Sequence, residues 1–333
     1  MRSPDLFEDN MNTHLSGQAL EWAVNYLSMN NELILNQKKI IRTSYSEVYK
    51  IETSTGRTLY LKQVPEALFL EPMMLAFLHE QDCQNIPKLV AKNNTLHCFL
   101  MASCGELSLR SLFKGHVNLG MLNQGITNYT KIQRCLENKT PELLQIGILD
   151  WRLNRFASLY YQLLQQEQLL MVDGLTRQEI DQLNQLYPYC IKLCSDLSEY
   201  KVPETINHCD FHENNMLFDP ETRAVNIIDW GEVVLTHPFL SLSGCLWNIT
   251  YFNKISQNEL SQLKSQCVSS WHNLFGIDDL LHLLKLANQL NGIYAALGYE
   301  QMYLATQGKP NSVQREKKGA IAGCLRTFYN GVE

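Results

Sequence analysis

Two short segments contain the residues whose types and spacing are best suited to chemistry. Residues 208–215 read HCDFHENN, and residues 227–230 read IIDW. Transfer of a phosphoryl group needs a carboxylate that orients and deprotonates the attacking hydroxyl, and a divalent metal that bridges the phosphates. Magnesium prefers hard oxygen ligands and takes only one or two of them from carboxylates. Asp210, Asn215 and Asp229 would supply such a set if the intervening turn brings them together.

Both segments also have purely structural explanations. Asp210 and Asp229 would serve as turn or capping residues, and His208 as a buried, hydrogen-bonded histidine. Each segment alone arises easily by chance, but the two in this order, with a short strand between them, favour a phosphoryl-transfer site. A zinc site that uses His208, Cys209, Asp210 and His212 is disfavoured, since alternating residues of an extended segment face opposite ways and no second ligand pair is evident.

The pattern H-x-D-x-H-x-x-N followed by I-I-D-W resembles the catalytic loop and metal-binding segment of the aminoglycoside phosphotransferase and choline kinase family. Protein kinases, to which that family is related, show H-R-D and D-F-G instead. The resemblance implies Asp210 as catalytic base, Asn215 and Asp229 as metal ligands, and His208 as a brace of the loop. His212 occupies a position common in the family without a settled role.

The order of elements predicts an α+β, two-lobed, protein kinase-like fold with a small antiparallel-sheet lobe and a large, mostly helical lobe. A leading helix is expected over 15–29, hairpins around the turns at 54–56 and 93–94, and a helix over 71–79. Helical periodicity follows in 142–170, 177–198 and 277–306, with a strand-like island in 215–234. We expect a nucleotide-binding lobe over 1–104 and a helical lobe over 105–333, the latter containing the catalytic loop 208–215 and the metal segment 227–231.

The first lobe should supply a lysine on a strand and a glutamate on the following helix. Lys62 ends an apolar run and is expected to hold the α- and β-phosphates. Glu71 precedes Pro72 at a predicted helix start, where a carboxylate also suits the helix dipole. We expect Glu71 to pair with Lys62, with Glu66 as a competing partner.

The phosphate-covering loop departs from the protein-kinase pattern, because residues 42–48 read RTSYSEV and contain no glycine. The backbone N–H groups there remain possible donors, and the hydroxyls of Ser44 and Ser46 would add to them. Residues 99–105 resemble the hinge strand beside the adenine. This resemblance implies base contacts from the backbone near Met101 and Ser103.

Two further groups of residues have predicted contacts with ligands. Leu217 and Ile228 would pack beneath the base, although ordinary core packing predicts the same positions. The acceptor should lie near Asp210, and its candidate contacts are carboxylates and aromatic rings that suit an ammonium group. These candidates are Glu232, Asp150, Trp151, Trp247 and Tyr251.

Composition limits the class of partner. The formal net charge is −6 and no basic block occurs, so nucleic acid is not an expected partner. The ten cysteines form no C-x-x-C pair, and no apolar run approaches the length of a membrane span. The sequence therefore predicts a reduced, cytoplasmic protein that does not bind membranes.

The sequence as a whole predicts a small-molecule phosphotransferase that uses ATP, or GTP as an alternative, with Mg²⁺. The acceptor would be a hydroxyl of an aminoglycoside-like sugar, an amino alcohol or a related metabolite. A protein kinase and a catalytically inactive, nucleotide-binding pseudokinase are the alternative hypotheses. The oligomeric state is not predicted.

Overall fold

The computed structural model of the protein describes residues 9–308 and 312–331. The first part of the chain forms an antiparallel sheet of five strands in the order β1-β2-β3-β5-β4. Helix α1 (Asp9–Met29) precedes this sheet, and helix α2 (Glu71–Glu80) is inserted after its third strand. The strands are β1 (Ile34–Arg42), β2 (Glu47–Thr53), β3 (Thr58–Gln63), β4 (Leu89–Asn93) and β5 (Cys98–Ala102).

The alternation of side chains in β3 decides which face of the sheet carries chemistry. Leu59 and Leu61 are buried with Ala23 and Leu27 of α1 in one cluster. Successive side chains of a strand point to opposite faces, so Lys62 is directed to the other face, where α2 begins with Glu71. The alternation of side chains in the six-residue strand β3 thus places Lys62 opposite the start of α2.

The rest of the chain is mostly helical, with short strands inserted where the site is built. In chain order its elements are β6 (Leu107–Ser108), α3 (Leu109–Phe113), α4 (Leu119–Cys135), α5 (Thr140–Gln145), β7 (Leu149–Asp150), α6 (Leu153–Leu164), α7 (Glu167–Asp173), α8 (Arg177–Gln185), α9 (Tyr187–Glu199), β8 (Thr205–His208), β9 (Met216–Phe218), β10 (Val225–Ile227), β11 (Val233–Thr236), α10 (Phe239–Phe252), α11 (Gln257–Val268), α12 (Ile277–Ala305), α13 (Val313–Glu316) and α14 (Ala320–Asn330).

Two small sheets hold the loops of interest. Strands β10, β9 and β6 form one of them, and β7, β11 and β8 form the other. In the second sheet β11 pairs antiparallel with β8, so that Val233 lies opposite His208, and it pairs parallel with β7. The segment 208–215 therefore leaves one sheet and enters the other through β9.

These observations confirm the predicted α+β, two-lobed fold. The predicted helical stretch 142–170 is interrupted, because Gly147 adopts a left-handed φ of 98° and Trp151 N donates to Leu235 O at 2.9 Å. Pairing with β11 thus overrides helical periodicity at β7. Helix α1 extends further toward the amino terminus than the predicted 15–29. Among the residues the structure describes, no helix is long and apolar enough to cross a bilayer.

Candidate active site

The loop after β8 holds the carboxylate of Asp210 between two side chains. Asn215 Nδ2 donates to Asp210 Oδ2 at 2.8 Å and to the Asp210 carbonyl at 2.9 Å. His212 Nε2 lies 2.9 Å from Asp210 Oδ1, and Asn215 N donates to His212 O. These contacts fix the orientation of the Asp210 carboxylate. Because 49% of the side chain is exposed, a ligand can still reach it.

The charge state of Asp210 follows from these contacts. Burial alone would raise the pKa of this carboxyl, but the hydrogen bonds from His212 and Asn215 and the electrostatic effect of the neighbouring imidazole N–H groups lower it to about 2. Asp210 is therefore ionised at neutral pH and can accept a proton.

His208 connects this loop to the segment that carries Asp229. The ring is fully buried, its Nε2 lies 2.9 Å from the Ile228 carbonyl, and its Nδ1 accepts from Asp210 N at 3.1 Å. Burial lowers the pKa of His208, so the ring is neutral. Since Nδ1 acts as an acceptor, the ring proton resides on Nε2, and this N–H donates a hydrogen bond to the Ile228 carbonyl.

Asp229 is held on an unusual backbone. Its φ of 67° lies in the left-handed region, which residues other than glycine adopt rarely. The flanking contacts fix it there: Ile228 N donates to Asn215 O at 3.0 Å, and the buried Trp230 donates from Nε1 to Ile227 O at 2.9 Å. Backbone pairing thus holds the segment that carries Asp229 against Asn215, although the two residues are distant in sequence.

Lys62 joins the two parts of the chain. Its Nζ lies 2.6 Å from Glu71 Oε2 and also contacts Asp229 Oδ1. Glu71 Oε1 accepts from Trp230 N at 3.3 Å. Burial lowers the pKa of Lys62, but the carboxylates of Asp229 and Glu71 more than offset this effect and raise it overall, so the amine stays charged. Of the two partners weighed from the sequence, Glu71 and not Glu66 makes the described contact.

Backbone N–H groups of the glycine-free loop between β1 and β2 donate hydrogen bonds to side chains of the protein. Thr43 Oγ1 accepts from Ser46 N at 3.0 Å, and Thr43 N donates to Ser46 O. Ser44 N donates to Glu316 Oε1 at 3.0 Å, while Ser44 Oγ is buried without a hydrogen-bond partner among residues 9–308 and 312–331. The backbone N–H groups expected to bind phosphate are therefore occupied by the protein itself.

Tyr45 and Glu316 are two residues at the site that sequence reasoning missed. Burial, followed by the charges of Glu232, Asp210 and Asp229, raises the pKa of Tyr45, so its side chain lies near these three carboxylates. Glu316 is 272 residues away from the serine it contacts. Neither residue belongs to a recognisable motif, and no signal in the sequence identifies them.

The predicted hinge strand is β5, and it is tightly paired. Met101 lies opposite Tyr60 on one side and Leu89 on the other, and Ser103 N donates to Thr58 O at 3.0 Å. This N–H of Ser103 is thus not available to a base. Leu217 in β9 and Ile228 after β10 are both half-buried, next to the Asp210 and Asp229 loops.

The predicted acceptor contacts fall into different environments. The Asp150 carboxylate is bound by Arg152 at 2.8 Å and Arg155 at 3.3 Å, and the hydrogen bond from Arg152 lowers its pKa to about 2 despite partial burial. Trp247 on α10 is 47% exposed and stacks on Tyr251, with 5.0 Å between ring centroids. The Asp150 carboxylate is thus paired with two arginines, and the Trp247 ring is partly exposed to solvent.

Glu232 and Trp151 are the acceptor candidates that lie nearer the carboxylates. Burial, with the charges of Asp210 and Asp229, raises the pKa of Glu232 to about 8. Trp151 is 3% exposed and packs edge-on against Tyr294, with 5.9 Å between ring centroids. Both residues line one cavity, which also contains Cys209.

A lysine–glutamate ion pair of the first lobe, facing loop carboxylates of the second, is the arrangement used for phosphoryl transfer on the kinase-like fold. Residues 39–262, more than half of the chain, match the sequence model of the phosphotransferase enzyme family, so the chain belongs to this family. No curated protein has a sequence that matches the chain.

Solved structures share the whole fold. A macrolide 2'-phosphotransferase type I aligns with a TM-score of 0.58 at 10% identity, over 93% of this chain and 96% of its own. An ethanolamine kinase from Plasmodium vivax aligns with a TM-score of 0.55 at 13% identity, over 89% and 84%. The ADP-bound aminoglycoside phosphotransferase APH(2'')-Ib aligns with a TM-score of 0.54 at 15% identity, over 94% and 98%.

Proposed function

We propose that this protein transfers the terminal phosphate of ATP, with GTP as an alternative donor, to a hydroxyl group of a small molecule. The observation that carries the proposal is the contact of Lys62 with both Glu71 and Asp229, in an enzyme whose Asp210 and Asn215 are joined to the Asp229 segment by hydrogen bonds. The similar solved structures include a macrolide phosphotransferase, an aminoglycoside phosphotransferase and an ethanolamine kinase. Membership of the phosphotransferase family supports the reaction class.

Asp210 is the proposed base. Its carboxylate is ionised and half-exposed, and His212 and Asn215 hold it in one orientation. A carboxylate oxygen can accept more than one hydrogen bond, so an acceptor hydroxyl can bind Asp210 without displacing either neighbour. Asp210 would then align the attacking oxygen and take up its proton.

Asn215 and Asp229 are the proposed ligands of Mg²⁺. Asn215 Nδ2 is committed to Asp210, so its amide oxygen is the atom left for a cation. Asp229 adds a carboxylate oxygen, and these hard donors fit the preference of magnesium. When bound, the metal would neutralise charge on the phosphates. The adjacency of the two residues through the Ile228–Asn215 backbone bond supports this assignment.

Lys62 is the proposed phosphate ligand. Its amine has three donors, and Glu71 and Asp229 occupy two of them. The third donor is available to a phosphate oxygen. Because the two carboxylates keep the amine charged, its role does not depend on pH in the neutral range.

One observation favours the pseudokinase as a second candidate. The N–H groups of Ser44 and Ser46 are occupied by Glu316 and Thr43, which weakens the case for a phosphate-binding loop. In a pseudokinase these contacts would be permanent, whereas in an enzyme the nucleotide would displace that of Glu316.

Incubation of the purified protein with γ-labelled ATP or GTP, Mg²⁺ and a panel of hydroxyl acceptors tests the proposal. We expect label on a small molecule, and none when Mg²⁺ is replaced by EDTA. Nucleotide binding without transfer to any acceptor would favour the pseudokinase, and label on polypeptides alone would favour a protein kinase.

A further inference from the structure

A cavity of about 280 Å³ lies beside the catalytic loop. Its walls come from the segment before α2, from β7 and β11, and from the end of α12. Most of the lining side chains are aliphatic, as Leu68, Leu149, Val234 and Met302 illustrate. Its volume is below the range of about 300–1,000 Å³ in which drug-sized ligands bind. The cavity therefore suits a compact, apolar group.

The cavity adjoins the reacting groups. Cys209, which lines it, directly precedes Asp210, and Cys209 N donates to Glu232 O at 2.8 Å. Gly231 also lines it, and a β-carbon at Gly231 would lie 3.7 Å from Glu71 Oε2. Asp210 itself is not in the lining, but its charge raises the pKa of Glu232, which is. A molecule that presents a hydroxyl to Asp210 can therefore extend into this space.

Within the part of the chain that the structure describes, the lining contains a single acidic side chain, that of Glu232. Asp150, the other carboxylate weighed for the acceptor, is bound by Arg152 and Arg155. A buried charge is stabilised only when it is paired, and a polycation would need several carboxylates. The walls offer one such partner, which argues against a substrate with many ammonium groups.

We propose that this cavity holds the non-reacting part of the acceptor, and that the acceptor is a neutral alcohol with a largely apolar body. This inference rests on the proposed phosphotransferase function and replaces the ammonium-bearing acceptor expected from the sequence. Burial and neighbouring carboxylates raise the pKa of Glu232 to about 8. In its protonated form Glu232 donates a hydrogen bond to a polar atom of the acceptor instead of pairing with a cation.

Gly298 offers a way to fill the cavity. It lines the cavity within α12, and a β-carbon there would have only Cys209 Cβ nearby, at 3.9 Å. Gly298→Leu therefore places a larger side chain in the space, and leucine also favours the helix over glycine. Gly298→Ala is the matched control, since it changes the helix in the same way but adds one methyl group.

The test compares 3-phenylpropan-1-ol with phenylalaninol, which has the same body and an added ammonium group, and with kanamycin. Binding to the full chain with Mg²⁺ and a non-hydrolysable ATP analogue is measured by ligand-observed NMR. We expect 3-phenylpropan-1-ol to bind at least 10-fold more tightly than phenylalaninol, Gly298→Leu to lose this binding, and Gly298→Ala to retain it. Thermal shift with the ATP analogue alone should be the same in all three proteins.

Tighter binding of phenylalaninol or kanamycin, or unchanged binding of 3-phenylpropan-1-ol in Gly298→Leu, would overturn the inference. Transfer of label to kanamycin with the same rate in Gly298→Leu would also overturn it while the phosphotransferase function stands. If 3-phenylpropan-1-ol binds as expected and no acceptor is phosphorylated, the cavity assignment is supported and the catalytic proposal fails.

Discussion

At the scale of single residues, the buried ammonium group of Lys62 is held between two carboxylates. It is 10% exposed, and it contacts Glu71, whose side chain is 2% exposed, as well as Asp229. A buried carboxylate is expensive to keep ionised without a counter-charge. Burial raises the pKa of Glu71, and the nearby Lys62 amine works against that rise. The pair therefore matters to folding as well as to phosphate binding.

Replacement of Lys62 by methionine should lower the free energy of unfolding by about 2–4 kcal/mol, because Glu71 would be buried without its partner. Urea denaturation at neutral pH measures the effect. The double variant Lys62→Met/Glu71→Met is the control and should recover part of the loss. A single variant as stable as the wild type would contradict this reading of the pair.

Glu232 predicts a specific pH dependence of stability. Its pKa is about 8 in the folded chain, above the ordinary value of 4.5. Between these two values the folded state retains a proton that the unfolded state has lost, so the free energy of unfolding falls as the pH rises toward 8. The stabilisation from this proton is present in full only below pH 4.5, and it is lost once the pH passes about 8.

Glu232→Gln should remove this part of the pH dependence, since glutamine does not titrate. Allowing for partial exposure, we expect the wild type to lose about 1–2 kcal/mol more than the variant between about pH 5.5 and pH 8.5. Urea denaturation at several pH values compares the slopes. Parallel curves for the two proteins would show that Glu232 titrates normally.

At the scale of elements, short strands position the site, and they mark the limit of sequence reasoning. The hairpin of β2 and β3 and the start of α2 at Glu71 follow from alternation, turn residues and Pro72, and the structure has all of them. Strands β7 and β8 have two and four residues, too few for a period to show. Their pairing with β11 is tertiary, so the sequence alone did not predict it.

The same limit applies to the site. Asp210, Asn215 and Asp229 could be chosen because their types and order matched one chemistry, and hydrogen bonds do connect their segments. Their catalytic and metal-binding roles remain predictions. Glu316 reaches Ser44 only because the tertiary fold brings α13 to the loop between β1 and β2, which no local pattern indicates.

Gly105, which lies just after the predicted hinge strand β5, allows a prediction about stability at the scale of elements. Its φ is 132°, and a β-carbon would lie 2.8 Å from Phe218 O. Gly105→Ala should cost about 2 kcal/mol or more, since both strain and a backbone clash oppose it. Gly56→Ala is the control, because Gly56 has a φ of 80° and open space around it, and it should cost less. Thermal unfolding of both variants checks the order, and equal losses would refute it.

At the scale of the whole molecule, the contact of Glu316 with Ser44 joins the carboxyl-terminal segment to the first lobe. Glu316 Oε1 accepts a hydrogen bond from Ser44 N in the glycine-free loop, at 3.0 Å, as a phosphate oxygen would. Any nucleotide that uses this N–H must first displace the carboxylate. If Ser44 does bind phosphate, Glu316 of α13 would compete with the nucleotide for this one donor.

Glu316→Ala should tighten binding of Mg²⁺–ATP about 3- to 10-fold, since it frees the Ser44 N–H and removes a negative charge near the phosphates. Titration calorimetry measures the affinity. Glu199→Ala removes an exposed carboxylate from α9 and controls for net charge; it should leave the affinity unchanged. Weaker binding in Glu316→Ala would mean that the contact organises the loop for the nucleotide.

Asp210→Asn tests the central claim most directly, because the amide keeps the shape of the carboxylate but cannot take up the proton of the acceptor hydroxyl. Phosphoryl transfer from γ-labelled ATP to the best acceptor and the affinity for Mg²⁺–ATP should be measured on the same preparations. We expect transfer to fall by at least about 100-fold while the nucleotide affinity changes less than about 3-fold. Transfer at the wild-type rate in Asp210→Asn would contradict the account.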